Sequence, residues 1–505
     1  MPLVSNLFFL FTALAVLVYY LAPRKAQWVV LLLFSYIYYV TGGVRFVVYI
    51  LFSTAVTYTC ARLIDRLWEK ETDQQTVKRV VAVGLILNFG MLGYVKYANF
   101  FIENANSLFH IQIPVLKVLF PLGISFYTFQ SSGYLLDVFW KKFHAEKNFF
   151  KYALFVSFFP QIMQGPISKY DHLAHQLYDS HSFDLQRICR GVERIIWGLC
   201  KKMIIADWAG VFADAISQDP GKYNGVVGLG LLLYYINLYM DFSGAMDIVI
   251  GIGSLFGIEM QENFRNPYLA TSLANLWKRW HITLGEWMMR YVFYPVSLTT
   301  PVQKITKATK KKFGRKAARN IQVAQAELVV FLLVGIWHGA SWISVAYGFS
   351  NGIIIAVSEV LTDSYAVWKK KLHIKGTEKW YVLFMILRTQ LIFCLESVLD
   401  MARSVPQAGY LLMLAFTRFN PSQLLQVPAG SQGVSFAPWA LLIIAVGTIV
   451  VITVGCIQEK GVKIRESLAA KLPFPAVCAV YAVLLLCIGL FGCTAAAKGF
   501  IYAQF

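Results

Sequence analysis

The sequence predicts an all-α polytopic membrane protein, with about 10–12 transmembrane helices plus re-entrant and interfacial helices around a central cavity. Of the 505 residues, 57% are hydrophobic and only 14% are charged, whereas a soluble protein of this size carries about 25% charged residues. Apolar runs close to the length of a bilayer crossing recur along the whole chain. We expect one integral membrane domain, 1–505, with a motif-bearing core at about 120–350 and C-terminal spans at 380–492.

The first four predicted spans set the orientation of the chain. The apolar runs fall at 6–22, 26–41, 46–61 and 80–99. The loop 62–79 is rich in Lys and Arg, which predicts a cytoplasmic position. Counting back places the N-terminus outside the cytoplasm. Since no basic residue precedes the first run, that run is predicted to be a retained span and not a signal peptide. The expected location is the plasma membrane.

The formal charge of +19 comes from 46 basic and 27 acidic residues. In a membrane protein such an excess indicates cytoplasmic loops that face anionic lipid. The basic residues lack the interleaved aromatics of a nucleic-acid platform, so no nucleic-acid partner is expected. The eight cysteines show neither a Cys-x-x-Cys motif nor a metal-binding spacing. We therefore predict no disulfide framework, no metal site and no permanently bound cofactor.

Two apolar stretches, 121–130 and 160–167, are interrupted by Pro, Gly and hydrogen-bonding side chains. Breaks at membrane depth are tolerated where the backbone faces protein or water. Both stretches are predicted to be re-entrant or broken helices that line a cavity, and Gln164 is a candidate substrate-binding residue. Ordinary kinked helices or surface turns are the alternative. The histidines at 172, 175 and 181 have no Cys or Glu that would complete a zinc site, which favours a solvated loop.

Asp241 and Asp247 lie directly after and within apolar sequence, where a carboxylate is costly unless it is paired or faces water. One interpretation is that Asp241 lines a cavity, where it orients a histidine or binds substrate. The other is that Asp241 caps the helix that follows, since Asp is a favoured N-cap residue. Both interpretations stay open at this point.

Two Trp-His pairs are the strongest candidates for chemistry. Around Trp280-His281 a helical wheel places aromatic residues on one face and Lys and Arg on the other, which predicts a helix in the membrane interface with His281 at the edge of its apolar stripe. Trp337-His338 ends an apolar run, and we expect a buried His338 walled by Trp337 and Trp342. The predicted roles differ accordingly: His338 takes a proton, and His281 orients a substrate.

Between the two pairs lies the most basic stretch of the chain, 304–319. A solvated cytoplasmic loop explains this charge. The alternative is an electrostatic funnel for an anionic donor, formed above all by Lys310, Lys311, Lys312 and Arg315.

The ordered motifs resemble those of the membrane-bound O-acyltransferase superfamily. They comprise Asp241-Phe242-Ser243-Gly244, Glu262-Asn263-Phe264, Trp280-His281 and the segment 337–342. The resemblance is strongest to the bacterial branch that acetylates alginate, and more distant to the branch that transfers D-alanine to teichoic acid. It implies His338 and His281 as catalytic residues. It also implies a supporting set of Asp241, Ser243, Glu262, Asn263, Asn266, Trp280, Trp337, Ser341 and Gln164.

The resemblance further implies transfer of an acyl group, acetyl in the first instance, to hydroxyls of a cell-envelope or extracellular polysaccharide. The co-substrate would be acetyl-CoA or another acyl thioester, including one on an acyl carrier protein. An extracytoplasmic acyltransferase would be the expected partner. The alternatives are D-alanyl transfer to teichoic acid, and a transporter or export-complex subunit without catalysis. A transporter is less favoured because the chain shows no internal repeat.

Overall fold

A computed structural model describes residues 1–162, 164–427, 438–493 and 500. The described part of the chain is 78% helical. No β-strand occurs among the described residues, in which an isolated antiparallel bridge joins Phe264 and Trp280. Contacts between Cα atoms divide the chain into two units. Unit 1 contains Met1–Ile195 and Ala245–Glu262, and unit 2 contains Ile196–Gly244 and the described residues from Asn263 onward.

The first nine helices belong wholly or mostly to unit 1. They are α1 Asn6–Leu21, α2 Gln27–Val40, α3 Val47–Glu69, α4 Gln74–Phe109, α5 Ile124–Phe139, α6 Phe149–Ser157, α7 Phe159–Ile162, α8 Tyr170–Tyr178 and α9 Leu185–Leu199. Several helix starts carry side-chain caps. The Asp73 side chain, for example, accepts a hydrogen bond from the Thr76 backbone N–H at 2.9 Å and thereby starts α4.

The remaining helices lie in unit 2, except that the C-terminal end of α11 belongs to unit 1. They are α10 Asp207–Gln218, α11 Val227–Leu255, α12 Leu273–Trp277, α13 Ile282–Met288, α14 Tyr294–Ser297, α15 Thr300–His338, α16 Trp342–Val360, α17 Thr362–Lys371, α18 Lys379–Glu396, α19 Val398–Met401, α20 Val405–Thr417, α21 Pro438–Glu459, α22 Ile464–Lys471 and α23 Phe474–Phe491. Two π-helical segments, Cys200–Ala206 and Met289–Phe293, interrupt this pattern.

Within the described ranges, seven helices are long and apolar enough to cross a membrane. They are Val44–Glu69, Gln74–Phe109, Asn224–Leu255, Thr300–His338, Trp342–Val360, Lys379–Met401 and Trp439–Glu459. Shorter apolar helices occur at Asn6–Leu21, Val405–Thr417 and Pro475–Phe491. The prediction of an all-α polytopic membrane protein is therefore confirmed.

The two Pro- and Gly-containing stretches coincide with helix ends in unit 1, and the first stretch begins α5 without interrupting it. α5 begins directly after Gly123, whose φ of +68° suits glycine. A Cβ at Gly123 would collide with the carbonyl oxygen of Ile162, the last residue of the one-turn helix α7. Gly123 and Ile162, one from each stretch, thus pack directly on each other. That the two stretches line a cavity stays a prediction.

The histidines at 172 and 175 lie on α8 and not in a loop, so that part of the loop prediction is wrong. Helix α8 buries Leu173, Ala174 and Leu177, and this apolar face is sufficient to hold the segment in a helix.

In unit 2, α15 and α16 pack closely against each other. A Cβ added at Gly335 would lie 2.7 Å from the Gly348 Cα, so only glycine permits this backbone approach. The Ser341 side chain starts α16 by accepting a hydrogen bond from the Ser344 backbone N–H at 3.3 Å. The tight pair of helices fixes where His338, the last residue of α15, is placed.

Candidate active site

His281 lies in a break between two short helices. α12 ends at Trp277 and α13 begins at Ile282, and His281 itself has φ +47° and ψ +51°. This left-handed conformation is uncommon for a residue with a Cβ, and such conformations concentrate at functional sites. His281 is only 2% exposed.

Two predictions about this segment are therefore wrong. No continuous amphipathic helix runs through Trp277, Trp280 and Trp287, and His281 does not lie at the edge of an interfacial stripe. The physical reason is backbone pairing across the chain. The Arg265 N–H donates to the Arg279 carbonyl at 2.9 Å, and the Ile282 N–H donates to the Asn263 carbonyl at 3.0 Å. These bonds replace those of a helix.

Asn263 fixes the orientation and the tautomer of His281. Its Oδ1 accepts from the Thr283 backbone N–H at 3.1 Å and from the Thr283 hydroxyl at 2.9 Å. The same oxygen lies 3.2 Å from His281 Nδ1. Because the Thr283 N–H can only donate, the atom facing it is the amide oxygen, and Nδ1 must carry the proton. His281 Nε2 then holds the lone pair that a proton acceptor needs.

Aromatic rings connect the two histidines. The Trp337 ring centroid lies 5.9 Å from that of His281 and 5.0 Å from that of His338. On its other side the His281 ring meets Phe242 edge-on at 4.9 Å. His338 is 4% exposed, as predicted. The structure therefore brings both histidines into one buried, aromatic environment.

One wall of the His338 environment differs from the prediction. Trp342 is 63% exposed, so it does not enclose His338. Tyr347, one turn into α16, lies there instead, with its ring centroid 5.8 Å from that of the imidazole. Trp342 is the first residue of α16, and its exposed side chain lies on the outer surface of the helix.

Burial lowers the pKa of His281 well below its usual value, and the nearby charge of a protonated His338 lowers it further. Desolvation penalises the imidazolium, and two imidazolium ions would repel each other. His281 therefore stays neutral at physiological pH. A neutral imidazole with its lone pair on Nε2 is the form that accepts a proton in acyl transfer.

Trp280, the residue before His281, has a role in packing. It is 1% exposed, and its ring packs against Phe264 at 5.2 Å, Phe393 at 5.3 Å and Tyr239 at 5.7 Å. These contacts hold the bridge between Phe264 and Trp280 in place, since large buried aromatics dominate local packing.

Asp241 does not cap a helix, so that interpretation is wrong. Helix α11 runs through residue 241 without interruption. The buried carboxylate instead lies 2.6 Å from Lys202 Nζ, which also lies 2.8 Å from Asp207. Beside it, Lys201 Nζ donates to the Ser243 hydroxyl at 3.0 Å. A buried carboxylate needs such a partner. The sequence signal for these partners was two consecutive lysines within an otherwise apolar segment.

Glu262 lies in unit 1, where Arg194 binds it with two nitrogens at 2.6 and 2.5 Å. The Arg194 Nε also lies 3.1 Å from Asp247. A bidentate guanidinium pair fixes both partners. Arg194 was not predicted from the sequence, because it lies 68 residues before Glu262, on an amphipathic helix.

Three further predicted residues, Asn266, Ser341 and Gln164, differ in their hydrogen bonds. Asn266 donates to the Gly455 carbonyl and to Glu459, both at 3.3 Å. The Ser341 hydroxyl lies 2.8 Å from that of Ser344, within the cap of α16. Gln164, in unit 1, is fully buried, and neither atom of its amide has a hydrogen-bond partner among the described residues.

The basic stretch is helical and not a loop, so that part of the prediction is wrong. Residues 304–319 belong to α15, whose course is interrupted at Gly314, φ +87°. Lys, Arg and Ala are good helix formers, and the exposed helix needs no core of its own. Lys310, Lys311, Lys312 and Arg315 are all exposed. The four residues lie on either side of Gly314. The electrostatic funnel that they are expected to form stays a prediction.

One group within the described residues has ligand atoms close enough together to hold a metal ion. It consists of Asp65, Glu69 and His144 in unit 1. Asp65 already lies 3.0 Å from His144 Nδ1 and 3.6 Å from Arg62. None of the sequence-predicted site residues belongs to this group.

Membrane-spanning helices, together with two buried histidines of which one has a fixed tautomer, define a membrane enzyme suited to proton transfer in acyl chemistry. Residues 31–309 match the model of the membrane-bound O-acyltransferase family. The chain belongs to this family and is an O-acyltransferase. The matched segment contains His281 and ends before His338.

Several known proteins are similar to the chain. A probable alginate O-acetylase of Azotobacter vinelandii is 29% identical over 88% of this chain and 84% of its own length. A peptidoglycan O-acetyltransferase of Helicobacter pylori is 29% identical over 74% of this chain and 72% of its own. A teichoic acid D-alanyltransferase of Bacillus subtilis is 25% identical over 53% and 65%. The resemblance inferred from the motifs is thus confirmed.

Proposed function

We propose that this enzyme moves an acetyl group from a cytoplasmic thioester across the plasma membrane, towards hydroxyls of a cell-envelope or extracellular polysaccharide. The observation that carries the proposal is the buried pair His281 and His338, with His281 held by Asn263 as a neutral imidazole. The names of the relatives from Azotobacter and Helicobacter, an alginate and a peptidoglycan O-acetylating protein, support acetyl as the group.

The chemistry requires a proton acceptor and a leaving thiol. As the acceptor hydroxyl attacks the thioester carbonyl, its proton moves to an imidazole, and the C–S bond then breaks. The imidazolium returns the proton to the departing thiolate, so the reaction is balanced without another reagent. A buried site strengthens each hydrogen bond to the developing oxyanion, for which the Trp337 indole N–H and the backbone N–H groups near Gly339 are the candidate donors. An acyl-histidine intermediate is an alternative route through the same residue.

The two histidines have two assignments to compare. From the sequence, His338 is predicted to be the proton acceptor, because burial is expected for it and not for His281. In the structure both histidines are buried, and His281 Nε2 carries the lone pair. The reverse assignment, with His281 as the base, therefore stands beside the first.

The donor is proposed to be acetyl-CoA or an acyl carrier protein, both anionic. The exposed charges of Lys310, Lys311, Lys312 and Arg315 support this proposal because they attract anions over distances of about 10 Å at moderate salt. An extracytoplasmic acyltransferase that completes the transfer to the polysaccharide is the proposed partner.

D-alanyl transfer is the second candidate, favoured by the Bacillus relative, whose name specifies teichoic acid. Purified protein in lipid nanodiscs separates the two. Release of free thiol from acetyl-CoA, dependent on His338 or His281, supports acetyl transfer. Turnover with a D-alanyl-carrier thioester alone would establish the second candidate, and turnover with neither donor would refute both.

A further inference from the structure

The Asp241-Phe242-Ser243-Gly244 segment contacts two different parts of unit 2. Asp241 and Ser243 bind Lys202 and Lys201 on the π-helical segment Cys200–Ala206, at 2.6 and 3.0 Å. Gly244 lets the backbones come together, since a Cβ there would lie 2.8 Å from the Gly198 carbonyl oxygen and 3.3 Å from the Lys202 nitrogen. Three residues of the segment thus fasten α11 to Gly198–Lys202.

The fourth residue of the segment, Phe242, contacts the histidine site. Its ring lies 4.9 Å from the His281 ring and 5.0 Å from that of Phe264, in both cases edge to face. Phe242 is 0% exposed. Because its neighbours on both sides are bound by lysines, Phe242 has little freedom to retreat from the imidazole.

Lys202 is the centre of this arrangement. Its Nζ lies between Asp241 and Asp207, and the residue is 4% exposed. Burial of the Lys202 ammonium has a cost in desolvation free energy. The two carboxylates offset this cost only while they stay at these distances from the ammonium. π-Helical turns of this kind are rare and are found frequently at functional sites. The local structure therefore holds α11 in one register.

We propose that Lys202 is a positioning residue for His281 in the acyl transfer proposed above, acting through Asp241 and Phe242. It fixes α11 so that Phe242 closes one side of the imidazole and excludes water from it. His338 is a titratable group that faces His281, whereas Asn263, Phe242 and Trp337, which also contact its ring, carry no titratable charge. Phe242→Ala therefore loosens the contact and changes the hydration of His281 without adding a charge near it.

The test compares Lys202→Met, Lys202→Arg and Phe242→Ala in nanodiscs. We expect Lys202→Met and Phe242→Ala to lower kcat about 10- to 100-fold, since displacement of a catalytic group by about 1 Å has effects of that size. The KM for the donor should stay unchanged, and Lys202→Arg should restore much of the rate. The acid limb of the kcat/KM profile should move to higher pH in both damaged variants, because water that reaches His281 raises its pKa towards 6.5.

A second readout needs no turnover. In protein labelled with ¹³C at histidine Cε1, with the His281 signal assigned through His281→Gln, the titration midpoint of His281 should rise in Lys202→Met and Phe242→Ala. The matched control is Lys142→Met, which breaks the 3.0 Å pair with buried Asp137 in unit 1 and should leave the midpoint unchanged.

An unchanged midpoint and pH profile in folded Lys202→Met would overturn the proposal. If that variant does not fold, the same result in Phe242→Ala, which keeps the lysine and both carboxylates, overturns it equally. Absence of turnover in the wild type would refute the proposed function alone, since the titration still tests the positioning.

Discussion

At the scale of single residues, the site depends on side-chain pairs that could not be predicted from the sequence. Asn263 and His281 are 18 residues apart, and Lys202 and Asp241 are 39 apart. Each pair joins polar or charged side chains whose burial without a partner is unfavourable in free energy. The motif residues were visible in the sequence, but their partners became visible only in the folded chain.

Replacement of the histidines is the first prediction. His338→Ala and His281→Ala should each insert in the membrane, since neither removes much apolar surface. The variant that lacks the base should lose about 10²–10⁴-fold in rate. The sequence-based expectation is that His338→Ala suffers the greater loss and that His281→Ala keeps measurable activity. Single-turnover assays measure the two rates.

The control is His175→Ala, on an exposed position of α8, which should retain the wild-type rate. A folded His338→Ala protein with near wild-type activity would refute the assignment of His338. A greater loss in His281→Ala would make His281 the base.

The lowered pKa of His281 predicts a pH dependence of stability. The unfolded chain binds a proton on this histidine below about pH 6.5, while the folded protein binds it only at lower pH. The contribution of His281 is therefore fully present above pH 6.5 and is lost as pH falls through the window below it. Thermal unfolding in detergent, measured from about pH 7 to pH 5, should show a smaller decrease in Tm for His281→Asn than for the wild type. Equal decreases in the two proteins would contradict the lowered pKa.

At the scale of elements, periodicity predicted the long helices well and failed around the site. The apolar runs 6–22 and 80–99 correspond to α1 and part of α4. The segment 277–291 has helical periodicity too, yet it forms α12, a break and α13. Pairing with the Asn263–Arg265 backbone competes with the helix there, and a pattern of hydrophobicity contains no information on such pairing.

The first half of α15 yields the next prediction. Neutralising Lys310, Lys311, Lys312 and Arg315 to Gln should raise the KM for an anionic donor several-fold with little change in kcat, because steering acts on encounter. The wild-type KM should also rise with salt, since screening shortens the range of the field. Stopped-flow binding of acetyl-CoA at several salt concentrations measures both effects.

The matched control neutralises Lys369, Lys370 and Lys371 at the end of α17, which have comparable charge. A KM that does not depend on salt, and that is the same in both sets of variants, would assign the 304–319 charge to membrane topology alone.

At the scale of the whole molecule, composition was sufficient for the class. A chain with 57% hydrophobic and only 14% charged residues has the composition of a polytopic membrane protein, and the seven long apolar helices of the described residues agree with this. The division into two units was not predictable, since it depends on which helices pack together. The extent of the domain, its central cavity and the side of the membrane reached by each loop stay predictions.

The sidedness of two segments provides the last prediction. The loop 62–79 and the basic half of α15 should lie on the same, cytoplasmic side, because both are rich in Lys and Arg. Single cysteines at Lys70 and Lys310, in a variant without the native cysteines, can be labelled with a membrane-impermeant maleimide in intact cells and in inverted vesicles. Labelling of the two positions from opposite sides would refute both the topology and the donor funnel.

The left-handed backbone at His281 has a consequence for genetic screens. Asparagine tolerates this conformation better than most residues do, and a single base change in a histidine codon creates it. Random mutagenesis should therefore recover His281→Asn as a full-length, membrane-inserted protein that lacks the imidazole and has lowered activity. β-Branched replacements at the same position should instead reduce the amount of protein, because they are poorly accommodated at positive φ. A screen that scores expression and activity separately would thus distinguish the backbone requirement at this position from the requirement for an imidazole.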